Sequence, residues 1–237
     1  MNYKKQKRLK KAYRRGFTNY VFMDTEWTCW SNKDDNRAER KELLSIGLIV
    51  TDIDLNIIDR YYSLVKPIRE PILSDFCKEF TGINQLDIEK APSLEKVIGE
   101  VGKFLSRFNY DNKIYVWGRG DKEYFTVFNK EINSIELNDI KNKLVDAEVI
   151  IGGAVRKVWK FNNSISLTNM MNIQGINNDN FVKHNALMDA EALRVVFKAH
   201  DDNVRWDIRF LREFSRKQVK MEISHRIRMK NKRLEYQ

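Results

Sequence analysis

The feature that most constrains this chain is a set of polar residues placed where short apolar runs end. One apolar run, 20–23 (YVFM), leads directly into two acids, and a second, 114–116 (IYV), is followed shortly by a third acid. The residues at these ends, or at the start of a later helical pattern, are Asp24, Glu26, Asp121, His184 and Asp189. Functional sites are commonly built where strands and helices end. Four acids and one histidine are the ligand set for two hard divalent cations and a general base.

The size and composition of the chain predict a globular protein without a membrane segment. It has 237 residues, of which 42% are hydrophobic, enough to bury a core without disulfide or metal staples. No apolar run approaches the roughly 20 residues needed to span a membrane, and no apolar signal region follows the basic N-terminus. Two cysteines, Cys29 and Cys77, lie outside any CxxC pattern. We therefore expect a reducing, cytoplasmic compartment and no structural zinc site.

Positive charge is concentrated at the two ends of the chain. The formal net charge is +10, and residues 1–15 contain eight lysines and arginines but no acid. Residues 205–233 carry a second group of basic residues. This distribution favours a polyanionic partner, most simply nucleic acid, although a solvated basic tail is the alternative.

The apolar periodicity predicts an α/β fold with a mixed five-stranded sheet and helices on both faces. Antiparallel strands followed by strand–helix units lead to such a sheet. Strands are predicted at 19–25, 43–50, 57–65, 114–117 and 144–151. Helices are predicted at 74–80, 94–108, 122–133, 166–173 and 186–200, with Ser74 and Ser93 as N-caps. We divide the chain into a basic arm (1–16), a main domain (17–200) and a basic helical extension (201–237).

The spacing of the acids suits two-metal chemistry. Asp24 and Glu26 are two residues apart on a predicted strand, so their side chains point to the same face. Asp121 opens a helix after another strand, and Asp189 lies in the first turn of its helix, five residues after His184. Four carboxylates at close range would repel one another strongly without cations. Two Mg²⁺ or Mn²⁺ ions in such a site can activate water, and His184 can take its proton near neutral pH.

Each of these residues alone has a simpler explanation. Asp24 and Glu26 could form a solvated strand end, Asp121 could be a helix N-cap, and Asp189 a favourable charge in a first helical turn. Only the combination, in this order along the chain, favours a catalytic site.

In this combination the sequence resembles the DEDDh group of 3′→5′ exonucleases in the ribonuclease H-like superfamily, over about residues 18–200. Asp24, Glu26, Asp121 and Asp189 match the four acidic positions of that group, and His184 matches its terminal histidine. The resemblance implies a ribonuclease H-like fold and a metal-dependent enzyme. It further implies hydrolysis of phosphodiester bonds at single-stranded 3′ ends, with two Mg²⁺ or Mn²⁺ ions and His184 as the general base.

A narrower resemblance concerns the enhanced-RNAi and histone-mRNA exonuclease branch, whose members trim RNA 3′ ends. It rests on segments 24–30 (DTEWTCW), 65–77 and 80–83 (FTGI). It implies RNA as the favoured substrate, and contacts to the terminal nucleotide from Thr25, Trp27, Phe80 and Thr81. Lys183 lies next to His184 in the sequence and is a candidate for contacting phosphate. The chain departs from the branch at Ser45, where many relatives have glutamate, at Trp27, which is bulkier than usual, and at Gly120, often aromatic.

Three alternatives to an exoribonuclease remain open at this stage. The same chemistry could act on single-stranded DNA, because discrimination depends on contacts to the 2′-hydroxyl. The chain could also be a nucleic-acid-binding protein that has the exonuclease fold without its catalysis. In a third alternative the basic C-terminal extension is the main functional element and docks on a ribosome, a structured RNA or a partner. We expect the basic N- and C-terminal segments to assist binding to nucleic acid or to a ribonucleoprotein.

Overall fold

A single mixed sheet forms the centre of the molecule. The computed structural model describes residues 3–31, 41–179, 181, 184–218, 220 and 224. Its strands are β1 (Asn19–Trp27), β2 (Leu43–Thr51), β3 (Ile57–Leu64), β4 (Tyr110–Val116) and β5 (Leu144–Asp146). Their order across the sheet is β3-β2-β1-β4-β5, with β2 antiparallel to β1 and β3, and β4 parallel to β1 and β5. The predicted mixed five-stranded sheet is confirmed.

Helices occupy most of the sequence between and after the strands. They are α1 (Tyr3–Arg15), α2 (Asp75–Thr81), α3 (Gln85–Glu89), α4 (Leu94–Leu105), α5 (Gly120–Ile132), α6 (Ile135–Lys143), α7 (Ala147–Trp159), α8 (Leu167–Ile173) and α9 (Ala186–Asp201). Residues 208–218 are also helical. Ser74 and Ser93 cap α2 and α4 as predicted, because each hydroxyl accepts a hydrogen bond from a backbone N–H in the first turn. None of the helices within the described part of the chain is long and apolar enough to cross a membrane.

Alternation along β1 divides the core into two layers. Phe22 points into one cluster with residues of α7, α8 and α9, whereas Val21 and Met23 point into another with residues of α4, α5 and α6. Successive side chains on a strand face opposite sides, so helices must cover both faces to bury them. The central strand that carries the first two acids is thereby fixed from both sides.

The fifth strand is much shorter than the sequence predicts. The strand predicted at 144–151 was wrong beyond Asp146, where the chain turns into α7. The Asp146 side chain accepts a hydrogen bond from the Glu148 backbone N–H and starts the helix. Inside α7, the missing side chain of Gly152 leaves room for the Glu148 carboxylate, which would lie 2.5 Å from a Cβ at that position. Apolar β-branched residues at 149–151 are thus accommodated in a helix by a cap and by local packing.

Helix α1 packs onto the main body at the end of the sheet where β1 begins. Arg8 pairs with Asp201, the last residue of α9, at 2.6 Å between Nε and Oδ2, and both side chains are buried. Ala12 is buried in the same core layer as α9, and Lys11 pairs with Asp111 of β4 at 3.0 Å. Residues 3–15 therefore lie against the sheet that carries the acids.

Candidate active site

The central strand β1 supplies the first two carboxylates. Asp24 pairs across the sheet with Gly47 of β2, and Glu26 pairs with Ser45. Both acids lie on the face covered by α9, as the alternation along the strand predicts. Glu26 is 7% exposed, so its carboxylate is held in a largely water-excluded place.

Helix α9 begins in direct contact with β2 because Gly47 has no side chain. A Cβ on Gly47 would lie 2.4 Å from backbone atoms of Ala186 and Leu187, far inside contact distance. The start of α9 therefore rests on the sheet beside Asp24. This approach brings Asp189, in the first turn of α9, next to the two acids of β1.

The backbone before α9 turns sharply and holds the histidine in place. His184 has a φ of 59°, a left-handed conformation that is uncommon outside glycine, asparagine and aspartate. Its backbone N–H donates to the Asp189 Oδ2 at 2.9 Å, and the Asn185 side chain caps the helix. Strained backbone of this kind persists where the surrounding structure fixes it, often at functional sites.

The fourth acid, Asp121, is positioned from the other layer. It lies in the first turn of α5, directly after β4, and is 7% exposed. The Thr25 hydroxyl donates to its Oδ1, and the Trp27 indole N–H donates to the Thr25 hydroxyl oxygen at 2.7 Å. The structure thus places the side chains of Thr25 and Trp27 behind Asp121, where they orient its carboxylate.

Trp27 is packed into the core as well as hydrogen-bonded. Its ring meets Phe125 and Phe128 edge-to-face, and only 5% of the residue is exposed. The contact of Thr25 and Trp27 with a nucleotide, implied by the resemblance, stays a prediction. The observed contacts give both side chains a supporting position beside the acids.

Burial, and then repulsion between the carboxylates, dominates the electrostatics of the site. Burial raises the pKa of Asp24 well above its ordinary value, and the charges of Asp121, Asp189 and Glu26 raise it further. The pKa of Glu26 is raised to about 8, by burial first and then by Asp189 and Asp121. Burial also raises the pKa of Asp121 to about 6, although the hydrogen bond from Thr25 opposes that shift. Cations placed among these carboxylates would remove the repulsion.

The donor atoms fit a hard divalent cation. Ligand atoms of Glu26, His184 and Asp189 all lie within 4.8 Å of one another. Carboxylate oxygens are the ligands preferred by Mg²⁺ and Mn²⁺. Adding Asp24 and Asp121 gives four carboxylates, whose combined charge two divalent cations would neutralise. The five residues singled out in the sequence are thus brought to one place.

Aromatic side chains of α2 form a wall beside the histidine. The ring of Phe80 lies 3.8 Å, centroid to centroid, from that of His184, and Phe80 is 42% exposed. Phe76, one turn earlier, stacks on Phe80 at 5.5 Å with an interplanar angle of 18°. Thr81 is buried and donates its hydroxyl to the Cys77 carbonyl oxygen. Phe76 was not singled out in the sequence, but its spacing of four from Phe80 on a predicted helix was a usable signal.

A small polar cavity of about 120 Å³ opens next to this wall. Its lining includes Ser45, Tyr62, Thr81, His184 and Asn185. No local pattern predicts a role for Tyr62, because its position depends on the pairing of β3 with β2, where Tyr62 faces Gly47. Lys183, predicted to contact phosphate, lies outside the described residues.

Comparison with protein families finds a match over most of the chain. The family model described as exonuclease (RNase_T) matches residues 21–197, about three quarters of the sequence. The 3'-5' exonuclease eri1 of Schizosaccharomyces pombe is 34% identical over 88 residues, covering 37% of this chain and 29% of the relative. ERI1 exoribonuclease 2 of Danio rerio is 33% identical over 89 residues, covering 38% and 16%. The matched segments span less than a third of the length of these curated relatives.

Solved structures share the fold at low sequence identity. A 3'-exonuclease described for 3'-end specific recognition of histone mRNA stem-loop superposes with a TM-score of 0.67 at 17% identity, covering 85% of this chain and 75% of that one. The nuclease domain of 3'hExo, a DEDDh family member bound to rAMP, gives 0.64 at 18% identity and coverages of 81% and 96%. These likenesses show that the ribonuclease H-like fold expected from the sequence is the one present.

Proposed function

The chain belongs to the exonuclease (RNase_T) family, and from that premise we propose that it removes nucleotides from the 3′ end of single-stranded nucleic acid, with RNA as the preferred substrate. The reaction is hydrolysis of a phosphodiester bond. It requires two divalent cations, Mg²⁺ or Mn²⁺, with His184 as the general base.

The observation that carries this proposal is the convergence of the four carboxylates and His184. The acids come from β1, α5 and α9, and the charges of Asp121 and Asp189 raise the pKa values of both Asp24 and Glu26. Placing several buried acids side by side lowers the stability of the fold, because burial and neighbouring negative charges both oppose their ionisation. Binding of several cations would offset this cost and would explain why the acids are clustered. A binding protein without catalysis would not need this cluster to be complete.

The residues of the site have different roles in the reaction. Asp24, Glu26, Asp121 and Asp189 would hold the cations, which when bound polarise the scissile phosphate, activate water and stabilise the leaving oxygen. An imidazole nitrogen of His184 accepts the proton of the attacking water. Asp189 orients His184 through its backbone N–H, and Phe80 packs against the imidazole ring. The stacked Phe76 and Phe80 rings offer a surface for an unpaired base.

Preference for RNA is supported by the polar cavity and by relatives named exoribonucleases. Ser45 and Tyr62 line the cavity beside His184, and a hydroxyl group such as that of Tyr62 can recognise a 2′-hydroxyl. Neighbouring Tyr61 faces the opposite layer, where its hydroxyl donates to Glu100 at 3.0 Å. Tyr62→Phe should therefore lower the ratio of RNA to DNA cleavage rates, while Tyr61→Phe should leave that ratio unchanged.

The basic face of α1 is proposed as a contact for the upstream part of the substrate. Lys7, Lys10 and Arg14 lie on one side of the helix and are exposed, while Arg8 on the other side is buried. Helix α9 connects the two places, since Asp189 and Asp201 are separated by twelve residues, or about 18 Å of helix. A nucleic-acid strand with its 3′ end in the site could thus contact α1 through phosphates that lie several nucleotides from that end.

Salt dependence of binding tests this surface. Replacing Lys7, Lys10 and Arg14 by glutamate should weaken RNA binding and reduce the slope of log K against log salt, because fewer counterions are released. The same charge change at the exposed Lys90, Lys96 and Lys103 is the matched control. Equal effects of the two sets would mean that only net charge matters, and would reject α1 as a specific contact.

Degradation of 5′-labelled single-stranded RNA tests the activity itself. The reaction is run with Mg²⁺, with Mn²⁺ and with EDTA, beside a DNA of the same sequence. A ladder that shortens from the 3′ end only with metal would support the exonuclease, and the RNA/DNA rate ratio would identify the preferred substrate. Intact binding without cleavage of either substrate would reject the proposed activity, and equal rates would reject the preference for RNA.

A further inference from the structure

The two cysteines of the chain lie close together beside the proposed active site. Cys29 follows β1 closely, and Cys77 lies in α2. The Ser74 hydroxyl connects their backbones, since it donates to the Cys29 carbonyl oxygen at 2.7 Å and accepts from the Cys77 N–H at 3.0 Å. Cys29 also packs against the apolar cluster that contains Cys77. A disulfide needs the two Cα atoms within about 7 Å of each other, a spacing that segments joined through one hydroxyl group can reach.

Their surroundings differ in a way that favours reaction with each other. Cys77 is 1% exposed, in an apolar cluster with Leu44, Leu73 and Ile88, while Cys29 lies partly exposed at the edge of that cluster. A small oxidant therefore reaches the pair from the side of Cys29. The chain contains only these two cysteines, so no other thiol of the same molecule competes.

We propose that Cys29 and Cys77 form a reversible disulfide that cross-links α2 to the end of β1 and reduces the activity of the site between them. Formation of the bond is independent of the proposed function, whereas its effect on cleavage rests on that function. Disulfides of reducing compartments are typically transient and regulatory, and both elements joined here carry residues of the site.

The chemistry requires a peroxide as the oxidant. The proton shared by the pair moves to Cys77 as the Cys29 sulfur attacks one peroxide oxygen, which leaves Cys29 as a sulfenic acid and releases hydroxide. The Cys77 sulfur then displaces the hydroxyl group of the sulfenic acid, and that hydroxyl leaves with the Cys77 proton as water. The proton lost first from the pair neutralises the hydroxide. Two thiols and one peroxide give one disulfide and two waters, and a dithiol reductant reverses the bond.

Ionisation of the pair near neutral pH supports this route. The hydrogen bond from Cys29 lowers the pKa of Cys77 to about 7, against the effect of burial, and Lys41 contributes further. The pKa of Cys29 is raised, by the same hydrogen bond and by burial, so the pair releases its first proton readily and its second with difficulty. The thiolate of the pair reacts with the peroxide, and the Cys77 thiol gives up its proton as it attacks the sulfenic acid.

The cross-link would disturb the site through α2. This helix carries Phe80, whose ring packs on His184, and Thr81, which lines the polar cavity. Bringing the two sulfurs to a bonding distance of about 2 Å draws α2 toward β1. Displacing a catalytic group by about 1 Å can cost on the order of a hundredfold in rate. We expect the oxidised protein to have a kcat/KM about ten- to a hundredfold lower.

Mass spectrometry of the full chain tests the bond without reference to activity. After brief treatment with hydrogen peroxide, the intact monomer should lose the mass of two hydrogens and regain it with dithiothreitol. A non-reducing peptide map should show the Cys29 and Cys77 peptides joined. Disulfide-linked dimers, or oxygen added to one cysteine without a cross-link, would overturn the proposal.

Activity of the oxidised and reduced forms tests the consequence. Cys29→Ser, at the partly exposed position, should keep the activity of the reduced protein and resist inhibition by peroxide, and Cys77→Ser serves as a second variant. A cross-linked protein that cleaves at the rate of the reduced one would overturn the regulatory part of the proposal. A reduced protein that cleaves nothing would instead contradict the proposed function, and the cross-link is then decided by mass alone.

Discussion

Adding one methyl group at Gly47 should move the site residues at the start of α9 away from those on β1. In Gly47→Ala the new Cβ would lie 2.4 Å from the carbonyl carbon of Ala186 and from the Leu187 nitrogen. Both are backbone atoms, so no side-chain rotation can relieve the overlap. Either β2 or the start of α9 must move.

The size of the movement follows from these distances. Raising a 2.4 Å approach to an ordinary van der Waals contact of 3.4 Å requires a shift of about 1 Å. Asp189 and His184 move with the start of α9, whereas Asp24 and Glu26 stay on β1. We therefore expect a loss of about a hundredfold in kcat/KM, and of about 1–3 kcal/mol in the free energy of unfolding from overpacking.

Two assays and a control check this prediction. Cleavage of labelled RNA gives kcat/KM, and urea denaturation gives the free energy of unfolding. Gly99→Ala, on the exposed side of α4 where a Cβ meets nothing within 4 Å, should keep full activity and stabilise the protein by about 0.5–1 kcal/mol. Wild-type activity and stability in Gly47→Ala would refute the claim that this glycine sets the position of α9.

Three further predictions concern charge, catalysis and the attachment of α1. In chelator-treated protein between about pH 4.5 and pH 8, Glu26 keeps its proton in the folded state but has lost it in the unfolded chain. The free energy of unfolding should therefore fall by up to about 5 kcal/mol as the pH rises through this window, and level off above it. Mn²⁺ should remove most of that decline in denaturation curves, and a pH-independent stability without metal would contradict the raised pKa of Glu26. His184→Ala should lower kcat by about 10²–10⁴-fold while the rise in Tm caused by Mn²⁺ is retained through the four carboxylates, and an unchanged kcat would eliminate His184 as the base. Arg8→Ala should lower the free energy of unfolding by about 3–5 kcal/mol, because it leaves Asp201 buried without its ion-pair partner. The control Lys7→Ala, at an exposed position, should change it by less than about 0.5 kcal/mol. Equal effects of the two substitutions in thermal unfolding would show that α1 is not anchored by this pair.

The parts of the fold that were predictable from sequence depend on local patterns. Alternation places Asp24 and Glu26 on one face whatever the partner strands are, and it needs only β1 to be a strand. Ser74 and Ser93 mark helix starts through hydroxyl caps that form within a single turn. For the same reason Asp189 was expected in the first turn of its helix, which the structure confirms.

The parts that were not predictable depend on contacts between distant segments. Residues 149–151 are β-branched and apolar, and only the cap at Asp146 and the packing around Gly152 make them helical. Thr25 was assigned to the substrate by resemblance, yet its bond to Asp121 joins residues 96 positions apart. Tyr62 enters the cavity only through the register of β3 against β2. Helices α3 and α6 have short or weak apolar patterns and were not predicted.

Helix α9 is the element through which fold stability and the proposed activity depend on each other. Its first turn brings Asp189 toward Asp24 and Glu26, an approach that repulsion among buried carboxylates opposes. Apolar burial compensates, because Leu193 and Val196 pack into the same layer as Phe22, each with less than 2% exposure. At roughly 2 kcal/mol for each buried side chain, a few such residues match the several kilocalories that the raised pKa of Glu26 represents. Core packing along α9 thus keeps the carboxylates together although their charges repel one another. Metal binding would reduce that repulsion directly.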